Sequence, residues 1–546
     1  MASRALSAEV DVPLPTSAKL KHILFDFLLL ILSALLFSLS FPGYVSRWGI
    51  GFLGYVSLIP AFYVASKASW IRSPIYGAFY GFICYALFNF WLATFHPLAI
   101  FIVPMIYFTY LMLTFPFLRL SVWLFPKYGY LVQVLVWISY EYLRTKGFLG
   151  YSYGIMGYSQ YLYLPVIQIA SLTGVWGVSL LVVFPSAFLA AAFQEAGWKG
   201  SKFFLFLKNH WKESVGYGIL LLGTLVYGLI HRIDYSSTRE WKIALIQHNI
   251  DPWKGGVWAY RQNLERLIRL SNEALKEGPE LVVWSETAFV PGIDWHTRYR
   301  EDPDVYDIVQ ELRTYLSQQT VPFVFGNDDG RLEKDRFGNL RRVDYNAAVL
   351  FDQGKIQSIY RKTHLVPFTE YFPYERTFPW FYKKLKEADT HFWEPGKEFT
   401  VFRAAGVSFS TPICFEDSFG YISREFILRG AEVIINLTND SWSGHVAAAM
   451  QHMSKAVFRA VENRRSVVRC SNGGMTCVID PNGKILQILE PYTEGFLIGK
   501  VPVYTGTQTL YTKWGDWFAF LCIGVSVILL GTGVVLSTKR MVRRRK

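Results

Sequence analysis

Pro412-Ile413-Cys414-Phe415-Glu416-Asp417 closes the apolar run 407–413, so the chain reads as a strand that ends on a thiol followed by acids. A cysteine in such a place is more often inert packing than a nucleophile, and its meaning depends on what else reaches the same edge. Two other strand ends carry suitable companions. Leu281-Val282-Val283-Trp284 runs into Ser285-Glu286, and Lys362 flanks a third segment, Arg361-Lys362-Thr363-His364-Leu365-Val366-Pro367-Phe368. A carboxylate held beside a thiol can take its proton. A lysine ammonium can pair with a developing oxyanion without any proton transfer. Glu286, Lys362 and Cys414 are therefore a sufficient kit for acyl transfer through a thioester, and the kit calls for no metal and no cofactor.

Working outward, 242–247 reads as a strand, and Leu264, Leu267, Ile268 and Leu275 supply the stripe of a following helix. A helix near 304–318 leads to the strand 322–325, and later strands fall at 432–437, 466–470 and 476–479. This alternation of strand and helix predicts an α/β sandwich over 241–504 with its active groups at strand ends.

The wording of the three segments resembles the nitrilase, or carbon-nitrogen hydrolase, superfamily, in which Glu, Lys and Cys occur in this order. The resemblance covers essentially all of 241–504 and implies a four-layer αββα sandwich. Within that superfamily, Lys362-Thr363-His364-Leu365-Val366-Pro367-Phe368-Thr369-Glu370-Tyr371-Phe372-Pro373 is similar to the lysine motif of the apolipoprotein N-acyltransferase family. That likeness implies Glu286 as general base, Lys362 as oxyanion partner and Cys414 as nucleophile. It implies supporting roles for Glu370, Glu416 and Asn346. Gln247, Asn249, Tyr345 and the turn Asn439-Asp440-Ser441-Trp442 match further family positions that either shape the pocket or react. Phe415 stands where tyrosine is frequent and Ser285 where proline is frequent. The reaction implied takes an acyl chain from a membrane phospholipid onto Cys414. It then passes that chain to the α-amino group of a diacylglyceryl-cysteine on a lipoprotein.

The rest of the chain suits lipid substrates. Hydrophobic residues make up 52% of the 546 residues and aromatics 17%, above the usual composition of a soluble enzyme. Apolar runs near 22–41, 48–66, 74–95, 98–118, 128–143, 163–193, 213–231 and 515–538 predict eight transmembrane helices, the run at 163–193 being long enough to hold a broken one. The expected division is a membrane domain over 1–240, a catalytic domain over 241–504, and a last span with a basic tail over 505–546. Lys19, Lys21, Lys67, Arg72, Arg119, Lys127, Lys199, Lys202, Lys208 and Lys212 fall in alternate loops and the tail 539–546 is basic. Positive charge thus places both termini in the cytoplasm and 241–504 on the periplasmic side of a bacterial inner membrane. The formal charge of +13 is concentrated at that tail, so nucleic acid is not an expected partner.

The five cysteines form no CxxC pair, and His364, His445 and His452 read as hydrogen-bonded structural groups. Asp440 with His445 and His452 lacks a metal-ligand spacing. Between Glu370 and Cys414, Tyr371, Trp380 and Phe381 lead an aromatic stretch interleaved with Lys383, Lys384 and Lys386, a composition suited to the headgroup layer. The reading is a lid that touches the membrane, or else a packed loop, in a chain that acts as a monomer. A membrane-tethered amidase with water as acceptor is the rival enzyme. An inactive nitrilase-like domain on a transporter or scaffold is the rival non-enzyme, but the complete Glu-Lys-Cys set and the few ionisable residues in the spans speak against it.

Overall fold

Leu281–Trp284 is apolar at every position because it is buried on both faces, as a central parallel strand must be. The computed structural model describes residues 16–95, 99–197, 200–252, 254–334, 338–387 and 392–545. Lys199, Lys546 and residues 388–391 of the aromatic stretch lie outside them.

Among the described residues, twelve strands form two six-stranded sheets. They are β1 (Arg239–Gln247), β2 (Leu281–Trp284), β3 (Phe323–Lys334), β4 (Leu340–Asp352), β5 (Lys355–Arg361), β6 (Val401–Ala404), β7 (Val407–Ser410), β8 (Val433–Thr438), β9 (Ser466–Ser471), β10 (Cys477–Ile479), β11 (Ile485–Ile488) and β12 (Gly495–Val503). The orders are β12-β1-β2-β3-β4-β5 and β11-β10-β9-β8-β7-β6. Each sheet has a parallel centre, β1-β2-β3 in one and β7-β8-β9 in the other, with antiparallel hairpins outside. The strand expected to run to Ile413 stops at Ser410. Ile413 keeps a single bridge to Leu437, because the chain must leave the sheet to turn at Cys414.

Outside the first sheet lie the helices Val257–Leu275 and Pro303–Ser317. The first buries Leu264, Leu267, Leu270 and Ala274, while Ile268 and Leu275 flank that stripe half-buried. The second starts at Pro303, and the Asp302 side chain caps it by accepting from the backbone N–H groups of Asp304 and Val305 at 3.0 and 3.2 Å.

Outside the second sheet, the helix Val446–Asn463 is buried at every residue from Ala447 onward, including Gln451, Lys455, Arg459 and Glu462. Its far side is covered by the N-terminal helical bundle, whose groups reach Gln451 and Glu462 among those polar side chains. Gln451 Nε2 donates to the carbonyls of Pro42 (2.9 Å) and Phe88 (3.2 Å), and the Val175 N–H donates to Glu462 Oε1 (3.1 Å). One continuous apolar core therefore runs from the bundle into the space between the sheets.

Among the described residues, five helices are long and apolar enough to cross a membrane: Leu20–Leu39, Ala99–Leu124, Val175–Ala196, Trp211–Ile230 and Trp517–Lys539. The other expected spans are shorter. Residues 48–66 break into Gly51–Leu53, Gly54–Ser57 and Ile59–Lys67. Arg72–Phe88 has 17 residues and Gly129–Leu143 has 15. At 1.5 Å per residue the longer of these covers about 25 Å, so length alone does not carry an eight-span count. The run 163–193 is interrupted at Gly174, whose φ of 65° separates Ala170–Thr173 from Val175–Ala196. Arg72–Phe88 packs closely on Ala99–Leu124 through Gly77 and Gly81. A Cβ at either would meet the backbone carbonyl of Leu111 or Tyr107 at 2.1 or 2.2 Å.

Candidate active site

The three strand ends converge. Lys362 follows β5 directly and extends its pairing, its backbone N–H donating to the Asn346 carbonyl at 2.8 Å. Its side chain is wholly buried. Nζ donates to Glu286 Oε1 at 3.1 Å and to Glu370 Oε1 at 2.7 Å. Asn346, on β4, donates through Nδ2 to the same two oxygens at 2.9 and 3.4 Å. The second oxygen of Glu286 accepts the Asn439 N–H (3.0 Å), and that of Glu370 accepts the Val366 N–H (2.7 Å). One ammonium thus lies between two buried carboxylates that an amide bridges.

Burial works against charge on Lys362, but Glu286 and Glu370 outweigh it and hold its pKa above the ordinary lysine value. Burial pushes the Glu370 carboxyl up, Lys362 pulls it back, and Glu286 adds to the rise. Cys414 interacts electrostatically with both Glu286 and Lys362. Burial pushes its thiol well above the ordinary cysteine value, Glu286 pushes it further and Lys362 opposes both. The resting sulfur therefore keeps its proton, and a base must take that proton as the sulfur attacks.

Cys414 has φ +49°, a conformation that costs a non-glycine residue about 1–3 kcal/mol and persists only where its surroundings enforce it. They do so here. Its carbonyl accepts from Asn436 Nδ2 at 3.2 Å and lies 3.2 Å from His452 Nε2. Glu416, fully buried, accepts the N–H groups of Ile413 (2.7 Å), Thr363 (2.8 Å) and His364 (3.0 Å), and also the hydroxyls of Thr363 and Tyr360 (both 2.8 Å). This carboxylate ties the cysteine turn to the lysine loop and belongs to the frame of the site.

A buried network behind the cysteine is absent from the expectations above. His452 lies 2.8 Å from Asp417 Oδ1 and 2.7 Å from Asp440 Oδ1, and Arg469 pairs with both acids. Burial favours the neutral acids, but Arg469 and His452 overcome it and hold Asp417 below the usual carboxylate range; His452 and Arg469 do the same for Asp440. The one signal in the sequence is Arg469 itself, a charge inside the apolar strand Val467-Val468-Arg469-Cys470. His445 stands apart from this network and caps the helix Val446–Asn463 through Nδ1. His364 pairs with the Tyr421 hydroxyl at 3.0 Å.

The remaining predicted residues frame the site. Gln247 ties the sheets together through Thr476, Glu490 and Thr493, and the Tyr345 hydroxyl donates to Glu333 at 2.6 Å. Trp442 is half-buried beside the Asn439 turn. Tyr371 is half-buried, and Phe381 packs on Phe368 and Phe372 at 6.1 and 5.4 Å. Trp380 is 68% exposed, and the helix Pro379–Glu387 that carries it buries no residue.

Two six-stranded sheets with a buried Glu-Lys-Glu cluster against a strained cysteine define a nitrilase-like domain seated on a helical bundle. The carbon-nitrogen hydrolase family model matches residues 242–510, and the apolipoprotein N-acyltransferase N-terminal domain matches residues 33–188. Apolipoprotein N-acyltransferase 1 of Treponema denticola is 44% identical over 524 residues, 92% of this chain and 95% of that protein. Apolipoprotein N-acyltransferase 1 of Treponema pallidum is 43% identical over 535 residues, 95% and 97% of the two chains. Apolipoprotein N-acyltransferase of Borreliella burgdorferi is 29% identical over 520 residues, 92% and 94% of the two. The chain belongs to the apolipoprotein N-acyltransferase family, a family of membrane acyltransferases.

Proposed function

We propose that this enzyme transfers an acyl chain from a membrane phospholipid to the α-amino group of a diacylglyceryl-cysteine at a lipoprotein N-terminus, in two steps through Cys414. The observation that carries the reading is the Lys362 ammonium held between Glu286 and Glu370 beside a thiol on a strained turn. In the first step Cys414 Sγ attacks the ester carbonyl while its proton passes to Glu286, and Lys362 pairs with the oxyanion. The oxyanion then collapses, the ester C–O bond breaks, and the lysophospholipid alkoxide leaves with the proton from Glu286. In the second step the lipoprotein amine attacks the thioester and loses a proton to Glu286. The C–S bond breaks, sulfur regains a proton and the amide is released. Glu370 and Asn346 hold Lys362 and Glu286 in register, and Glu416 fixes the turn.

A thioester suits this substrate pair because it stores the acyl group while two bulky lipids exchange. The acting unit is one chain, since every group above comes from it. Residues 1–240 and 505–546 form the membrane part, with eight spans in all, and 241–504 the catalytic domain. Alternate basic loops support cytoplasmic termini and a periplasmic site in a bacterial inner membrane. Tyr371, Trp380 and Phe381 belong to a lid that meets lipid, a reading favoured by the exposed Trp380 and the lysines beside it.

The test uses labelled phospholipid and intact mass spectrometry of the purified protein. Wild type should gain one acyl mass on Cys414, and Cys414→Ala should gain none. Adding a diacylated lipopeptide should move the label to the peptide amine. Release of free fatty acid alone would instead establish a hydrolase.

A further inference from the structure

The loop 144–153 of the helical bundle touches the site at two places. At its tip Phe148 packs on Phe368 and Phe372 at 5.2 and 6.2 Å, in the segment on either side of Glu370. At its end the rings of Tyr151 and Tyr153 stack on each other at 4.7 Å. Both rings lie nearly parallel to Phe415, the residue after the nucleophile, at 6.4 and 6.5 Å. Tyr153 also contacts His452 at 6.2 Å, whose Nε2 meets the Cys414 carbonyl.

One side chain pins this loop. Arg144 ends the helix Gly129–Leu143 and is 2% exposed. Its Nη1 donates to the carbonyls of Tyr151 (3.0 Å) and Tyr153 (2.8 Å) and to the Tyr107 hydroxyl. Its own carbonyl accepts the Tyr151 N–H at 3.1 Å. The guanidinium rests over the rings of Tyr85, Tyr107 and Tyr140 at 5.6, 5.2 and 5.6 Å. Among the described residues no carboxylate lies within ion-pair distance of it. Glu141, buried one turn earlier, is an acid that acts on its charge from beyond ion-pair distance; burying an arginine with no direct ion pair is expensive, and a neutral residue could close the helix without it. What the arginine supplies is an always charged, planar group that rests on three phenol rings while one nitrogen, Nη1, reaches two carbonyls and a phenol.

We propose that Arg144 is a positioning residue for acyl transfer. By fixing the carbonyls of Tyr151 and Tyr153 it presses an aromatic wall against Phe415, and through Phe415 the membrane bundle sets the position of Cys414. The wall also accounts for phenylalanine at 415, since ring contact is what the position uses. The inference rests on the two-step reading above, and the experiment separates the two.

Purified full-length protein is mixed with bacterial polar lipid in detergent micelles, and the single-turnover rate of Cys414 thioester formation is read by intact mass spectrometry. No thioester in wild type would overturn the acyl-transfer reading itself. Given the wild-type reaction, Arg144→Met should form the thioester about 10- to 100-fold more slowly, the loss expected of a reacting atom displaced by about 1 Å. The lipid concentration giving half-maximal rate should not change. Phe415→Ala should be slow as well, and the double variant should be no slower than the slower single, because both changes act through one contact. If Arg144→Met does not fold, Arg144→Lys replaces it in the same cycle. A wild-type rate in the Arg144 variant, or losses that simply multiply in the double variant, would overturn the proposal.

Discussion

Glu416→Gln isolates what the buried carboxylate behind Cys414 contributes. An amide is nearly isosteric with a carboxylate, so the oxygen facing Thr363, His364 and Tyr360 can be kept. The amide NH2 then faces the Ile413 N–H, which now donates at 2.7 Å, and two donors confront each other. One hydrogen bond to a charged acceptor is lost, about 1.5–3 kcal/mol, and the bonds that remain weaken without the charge. Against this, burial disfavours the carboxylate and pushes Glu416 above the ordinary carboxyl value, so the neutral amide recovers part of the loss. A net cost of about 2 kcal/mol remains. Because the strained turn at Cys414 and the lysine loop share this clamp, most of that cost should fall on the reacting geometry. The expected slowing of thioester formation is then about 30-fold, at 1.36 kcal/mol per factor of ten. Tyr360→Phe, which removes one donor and leaves the carboxylate, should slow it less. The assay is the burst of acylated protein seen by mass spectrometry with excess phospholipid, alongside a thermal melt. A Glu416→Gln protein that acylates at the wild-type rate would refute the clamp.

Other expectations follow from the same geometry. Because Glu286 raises the Cys414 thiol pKa and Lys362 lowers it, the pH profile of Cys414 alkylation by iodoacetamide should move to lower pH in Glu286→Gln and to higher pH in Lys362→Met. Shifts in the same direction would contradict the arrangement. Glu286→Gln should also reduce acyl transfer by about 10²–10⁴-fold, the range for losing a general base. Asp417 and Asp440 are held below the usual carboxylate range, so their stabilisation is complete above the unfolded carboxyl value near pH 4 and disappears as pH falls through the folded values. Asp417→Asn leaves Arg469 with Asp440 alone and should cost less than the roughly 3–5 kcal/mol of a fully broken buried pair at neutral pH, while flattening the acid limb of a pH-stability curve; an unchanged limb would assign that limb to other groups. Replacing Trp380 and Phe381 with serine should impair acylation from bilayer phospholipid and leave the melting temperature within a few degrees, as expected for one exposed and one half-buried position on a helix that buries no residue. Unchanged turnover would leave no place for the lid.

How far the sequence spoke depends on what each segment had to bury. β2 and β8 were legible because central parallel strands are buried throughout and so open on apolar runs, Leu281–Trp284 in one and Val433 to Ile435 in the other. The hairpin β4–β5 was missed because its outer half is exposed and charged, with Leu340, Arg341 and Arg342 outside. Glu286, Lys362, Glu370 and Cys414 stood out through their motifs, and the fold brings them together. Glu416 was placed among the supporting acids, but five donors converging on it belong to tertiary structure. Arg144 and Arg469 fell outside the site reading for a related reason. An isolated arginine reads as surface or topology until its carbonyl and carboxylate partners arrive from residues distant in sequence. Length and composition carry five of the eight expected spans, and the shorter apolar helices leave the count open because hydropathy does not distinguish packing inside a bundle from crossing.

The helix Val446–Asn463, enclosed on all sides, bears on how the enzyme can be assembled and handled. Cutting the chain near 240 would bare Gln451, Lys455, Arg459 and Glu462 beside Phe458, a face that is neither wettable nor greasy. The catalytic half should then be insoluble when expressed by itself, and co-expression with the N-terminal half should rescue it. The C-terminal half should then reach its fold only against helices that are already in place, so that folding of the two halves is one event.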